Sequence, residues 1–149
     1  MKAPTLLFLF LVGLLSMPSY GRVQAQNTSS DRQAIAMLKE FYTADITEGC
    51  KLPSLSALKK LRDLPKHYCT VGLLRKLNAQ YQHGYVEADP FLQVQDVNIF
   101  WLKTLAVRRD LRSANAYTVS YRDAGSDFKA VIHLTVIRQG NDFKIAALR

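Results

Sequence analysis

The chain has 149 residues, with 20 Lys and Arg against 12 Asp and Glu for a formal net charge of +8, and 48% hydrophobic residues. That size suits one domain with a real core, and the absence of repeats, linkers and low-complexity tracts excludes a repeat array. Only two cysteines and three well-separated histidines are present, so no metal-ligand spacing exists and no metal or other cofactor is expected.

Residues 1–25 read as a cleaved leader. Met1-Lys2 gives a positive start, LLFLFLVGLL at 6–15 is an apolar run, and Val23-Gln24-Ala25 offers small residues before a cut near Ala25. The run is too short for a bilayer, which needs about 20 residues, so no membrane span is expected. Residues 26–149 would then form a single exported domain, periplasmic or secreted.

Ser30 and Gln33 make a capping box that starts a first helix. Ile35, Leu38, Tyr42 and Ile46 set its apolar stripe, Met37 and Phe41 widen it, and Gly49 ends it. A second, shorter helix follows Ser54, uses Leu55, Leu58 and Leu61, and stops at Pro65. Thr70 caps a third, with Leu73, Leu74, Leu77 and Tyr81 on one face, ended by His83-Gly84-Tyr85. The basic residues gathered between Lys51 and Lys76 fall on these helices without interleaved aromatics, which reads as a solvated face rather than a nucleic-acid surface.

From residue 93 the period becomes two. Val97, Ile99 and Trp101 alternate in a strand running to about Val107, and a charged turn fills 108–115. Tyr117, Val119 and Tyr121 share one face of the next strand. Phe128, Ala130, Ile132, Leu134 and Val136 mark a third, and Phe143–Leu148 a fourth, with turns at 122–127 and 139–142. Three helices followed by four strands predict an α+β fold, an antiparallel sheet whose apolar face the helices cover.

Cys50 and Cys69, in an oxidising compartment, read as one disulfide closing a loop of about 20 residues, worth roughly 3 kcal/mol. No nucleophile signature surrounds either, which argues against a catalytic thiol paired with His67.

The segment HYCTVGLLRKLN (67–78), the run ADPFLQVQD (88–96), a tryptophan in the next strand and the closing FKIAAL strand resemble a bacterial domain-of-unknown-function family, number 3828, of the nuclear transport factor 2-like (cystatin-like) superfamily. The similarity spans about 31–149, and its most specific part is Asp89, Pro90, Phe91, Leu92, Gln95 and Asp96. Phe143 stands where tryptophan is frequent, and Ala88 where an acid is. The resemblance implies a cone: a strongly curved sheet wrapped around helices and open at one end to a pocket.

The run at 88–96 admits two readings. As a turn, Pro90 fixes the chain, Asp89 accepts backbone N–H groups ahead of it, and Phe91 and Leu92 anchor the reversal. As a site, Asp89 and Asp96 could form an acid–base pair, with Tyr117 or Tyr121 as proton donor. Gln95 shares parity with Val97, Ile99 and Trp101 and would point inward, where a buried amide needs partners or a wet pocket. Gln95, Asp96, Trp101, Tyr117 and Tyr121, with Phe128 and Tyr42 nearby, are therefore the expected ligand-binding set. His67, His83 and His133 fall at helix ends or on the outer face. The expectation is a non-enzymatic exported module for a small ligand or an envelope partner protein. A pocket hydrolase or isomerase using Asp89 and Asp96, and an inhibitor or immunity-like protein, are the alternatives. Val131, Thr135 and Ile137 on the outer sheet face could supply a homodimer contact.

Overall fold

The computed structural model of the protein describes residues 21–84 and 88–149. The leader assignment rests chiefly on residues outside that range, as does Tyr85 at the end of the third helix.

Three helices come first: α1 (Gly21–Gly49), α2 (Leu55–Tyr68) and α3 (Val71–Gln82). Four strands follow: β1 (Ala106–Arg109), β2 (Ala116–Arg122), β3 (Lys129–Gln139) and β4 (Asp142–Leu148). They pair antiparallel in the order β1-β2-β3-β4, each joined to its neighbour in sequence. The α+β arrangement expected from the pattern is therefore present. The strong curvature is not, since the sheet is not strongly curled.

The core lies between the inner sheet face and α1. Ala34, Leu38, Phe41, Tyr42 and Ile46 of α1 are fully buried, and they meet Val119, Ile132, Leu134 and Ile145. Registers such as Val107 with Val119 and Val119 with Ile132 align one apolar row across three strands. Alternation in β3 is clean, with Ala130, Ile132, Leu134 and Val136 inside and Val131 and His133 outside. Val131 and Ile137 are 40% and 37% exposed, so the proposed dimer face is solvent-facing in the monomer.

Several local expectations change. α1 runs unbroken through Ser30, so Ser30 and Gln33 do not start it. α2 continues past Pro65 to Tyr68; a proline costs one ladder bond near the helix end, and the Cys69 N–H still reaches the Pro65 carbonyl. Thr70 caps α3 as expected, its Oγ1 accepting the Leu73 N–H at 3.2 Å.

The largest revision concerns 93–107. That run is not one strand: a bend at 95–96 leads into a 3₁₀ helix over Ile99–Lys103, capped by Asn98, whose side chain accepts the Phe100 N–H at 3.0 Å. The four consecutive bulky residues Ile99-Phe100-Trp101-Leu102 carry no true alternation, and a tight turn buries Trp101 while Ile99 and Phe100 stay exposed.

The disulfide is also absent. Cys50 is exposed at the end of α1, its Sγ donating weakly to the Val97 carbonyl at 3.6 Å. Cys69 is buried, bridging backbone-to-backbone with Ile145 of β4, and the two are not at bonding distance. Native protein without reductant should thus show one rapidly reacting thiol, Cys50, in an aromatic-disulfide assay, and two after unfolding. Finding none in either state would restore the disulfide.

Two glycines test the packing in opposite directions. A Cβ at Gly49 would lie 2.9 Å from Val97 Cγ2, whereas at Gly72 the nearest atom is 4.0 Å away. Gly49→Ala should cost about 1–3 kcal/mol in denaturant unfolding, and Gly72→Ala in α3 should add about 0.5–1 kcal/mol.

Candidate functional site

The stripe that buries α1 recurs at three and four residues: Leu38, Phe41, Tyr42, Asp45, Ile46. The fourth member is a carboxylate. Asp45 is 4% exposed, and its Oδ2 has no hydrogen-bond partner among the described residues. Tyr42, one turn earlier, is fully buried with its hydroxyl also unpartnered.

The 88–96 run supplies a second acid. Asp89 Oδ1 accepts the N–H groups of Phe91 and Leu92, each at 2.8 Å. The backbone closes around it: the Gln93 N–H reaches the Asp89 carbonyl at 2.7 Å, and the Asp89 N–H reaches that of Val94 at 2.9 Å. Gln93 takes the left-handed conformation at φ 58° to complete the turn. Phe91 and Leu92 are buried, and Leu92 is held from the sheet by the Tyr121 hydroxyl, which donates to its carbonyl. The turn reading of this run is correct, and its carboxylate is nevertheless part of a site.

Asp45 and Asp89 both line a cavity of about 850 Å³ between α1, α2, α3 and the Asp89 turn. Its walls are apolar, from Leu58, Leu61, Leu74, Leu77 and Phe91, with Tyr81 and Asn78 from α3 and Arg62 and Lys66 from α2. Burial pushes the Asp45 carboxyl up to about 8, and the charge of Asp89 adds to that. Burial also raises Asp89, but the two N–H donors of Phe91 and Leu92 oppose it. Asp89 is therefore the better anion of the pair, and Asp45 the one that keeps its proton. Burial likewise raises the Tyr42 hydroxyl, with Asp45 as the next cause, and holds the Cys69 thiol at about 12. Cys69 is thus a neutral core thiol rather than a nucleophile.

The five residues expected to bind ligand are not brought together. Gln95 is exposed in the bend and does not point inward. Asp96 and Trp101 share a separate, shallow concavity of about 430 Å³ with Asn98, Asp123 and Phe128. There the Trp101 indole N–H bonds Asp123, and its ring stacks on both Tyr121 and Phe128, at 4.7 and 5.4 Å, while those two rings lie 6.3 Å from each other. Tyr117 lies in a third recess, its hydroxyl donating at 3.0 Å to Asp31, which also pairs with Arg109 at 2.6 Å. Tyr121 is buried, its hydroxyl committed to Leu92. Asp89 and Asp96 open into different concavities, so they do not form one acid–base pair. Asp45 escaped notice, although its place in the buried stripe was a readable signal.

No family model matches the chain, and no curated protein matches it. Among solved structures it is similar to a protein of unknown function from Bacteroides thetaiotaomicron VPI-5482, at 26% identity and a TM-score of 0.72, over 85% of this chain and 98% of that one. The shared feature is the α+β fold. Among the described residues no helix is long and apolar enough to cross a membrane.

A carboxyl that holds its proton more tightly folded than unfolded stabilises the fold at low pH and loses that contribution as pH rises to the folded value. Stability should therefore fall between about pH 4 and pH 8, the ordinary and folded values for Asp45. Asp45→Asn should remove most of that fall and unfold at a higher temperature than wild type at pH 8, by calorimetry. Parallel pH curves for the two would contradict the assignment.

Proposed function

We propose that the protein is an exported, non-enzymatic binding module of the nuclear transport factor 2-like kind that takes a small amphipathic ligand between its helices. The observation that carries this reading is the cavity holding Asp45 and Asp89. Its size is within the usual range for small-molecule sites, about 300–1,000 Å³, and such sites are apolar with a few well-placed polar groups. Here seven apolar side chains form walls around two carboxyls. Superfamily membership is supported by the order of helices and strands and by the Asp89–Asp96 run. The modest curl of the sheet does not add to it. Export is supported by the pattern of residues 1–25, and the unpaired cysteines lend it nothing.

A second reading has one specific observation in its favour. Two neighbouring carboxyls in unlike surroundings, Asp89 held by two backbone N–H groups and Asp45 buried without a donor among the described residues, are the usual arrangement of an acid and a base. On that reading Asp45 donates and Asp89 accepts a proton across a bound substrate, in place of Asp89 and Asp96. Against it, the cavity is lined by none of the histidines; His67, His83 and His133 are all exposed.

A neutral solvatochromic dye should bind the protein saturably at one site. Leu58→Trp, placed at the cavity mouth where Leu58 is 42% exposed, should weaken that binding at least tenfold without lowering thermal stability. Asp96→Ala should leave it unchanged. Absence of saturable binding would sink the reading. For export, the protein recovered from the envelope or medium of its own cell should have the mass of residues 26–149; a full-length mass there would remove the leader.

A further inference from the structure

We infer that the cavity selects ligands presenting a protonated alkyl amine to Asp45 and Asp89, with the apolar body lying along Leu61, Leu74, Leu77 and Phe91. This rests on the binding reading above and names its ligand class. The first support is the unpartnered Asp45 Oδ2. Buried acceptors in folded proteins have a donor as a rule, and this one, on a residue that lines the cavity, has none among the described residues. A ligand in the cavity is placed to supply it.

The second support is the count of donors and charges. Both carboxyls line the cavity and Asp45 feels the charge of Asp89, yet only Asp89 is served by backbone N–H groups. An ammonium carries three donors and a positive charge, so it can bridge both acids; an alcohol offers one donor, and a carboxylate adds a third acid.

Among the described residues, neither Asp45 nor Asp89 forms an ion pair. Asp45 feels Asp89 from the turn. Tyr42 of α1, Tyr81 of α3, Tyr121 of β2 and Cys69 also border the pair, and all are neutral groups with raised pKa values. Lys144 of β4 acts on Cys69. Arg62 and Lys66 of α2 line the same cavity, but neither lowers Asp45 or Asp89, and Lys66 is paired with Asp63 at 2.7 Å. An amine must displace the proton that Asp45 holds, so its affinity rises with pH until Asp45 is ionised. The overall charge of +8 works the other way, since it repels amines and attracts anions at the surface. A preference for amine therefore has to come from the cavity.

The test is displacement of the neutral dye by octylamine, octanol and octanoate, each below its micelle concentration, from pH 6 to pH 9. Octylamine should displace at a concentration at least tenfold below octanol at pH 8.5, with octanoate weakest. The advantage should narrow towards pH 6. Asp45→Asn should abolish the amine advantage, so that octylamine and octanol displace the dye at similar concentrations. Octanol matching octylamine, or an amine advantage that survives in Asp45→Asn, overturns the inference while the cavity reading stands. Failure of the dye to bind, or of all three to displace it, overturns both.

Discussion

The fold depends on one stripe of α1 pressed against the inner face of the sheet. Leu38, Phe41, Tyr42 and Ile46 are all fully buried there, against Val119, Ile132, Leu134 and Ile145. Helical geometry gives the stripe no freedom to leave out a member: residues at three and four apart share a face. Asp45 occupies such a place, so the packing that makes the core also removes a carboxyl from water. Burying an ionised acid without a partner is costly enough that the group keeps its proton instead. The unusual acidity of Asp45 is thus a consequence of core packing, set by its position rather than by a dedicated network.

Asp89 reaches the same place by a different route. The chain reverses at Pro90, and the carboxylate is held by the Phe91 and Leu92 amides while those side chains sink into the core. The sheet secures the turn from beneath through Tyr121. A local motif and a long-range contact together fix Asp89 beside a helix more than forty positions earlier. Both acids line the apolar hollow between the helices and this turn.

Much of this was readable in the chain. Period-two alternation marked β2 and β3, and the spacing of Leu38, Tyr42 and Ile46 marked α1, because each signal repeats over many residues; β4 was marked by the turn at 139–142 and the apolar run after it. The stretch around Trp101 misled for the opposite reason: in Ile99-Phe100-Trp101-Leu102 every residue is bulky, and a 3₁₀ turn and a strand both bury one of them. That error moved the expected pocket to Gln95 and Trp101, since parity along a strand that does not exist pointed Gln95 inward. The disulfide failed because spacing in sequence does not fix distance in space; Cys69 is drawn under β4 while Cys50 stays at the surface. The turn at Asp89 was anticipated in detail. Its chemistry was not, because the partner acid lies on another element and was counted as part of neither pattern nor motif.

The account stands on Asp45 being a neutral acid at the base of the cavity, and carboxyl titration reports this most directly. Carbon-detected NMR of aspartate-labelled protein should show one side-chain carboxyl titrating near pH 8, and that resonance should be missing from Asp45→Asn. If every aspartate instead titrates below pH 5 in the folded protein, Asp45 is ionised and solvated, and the site described here does not exist.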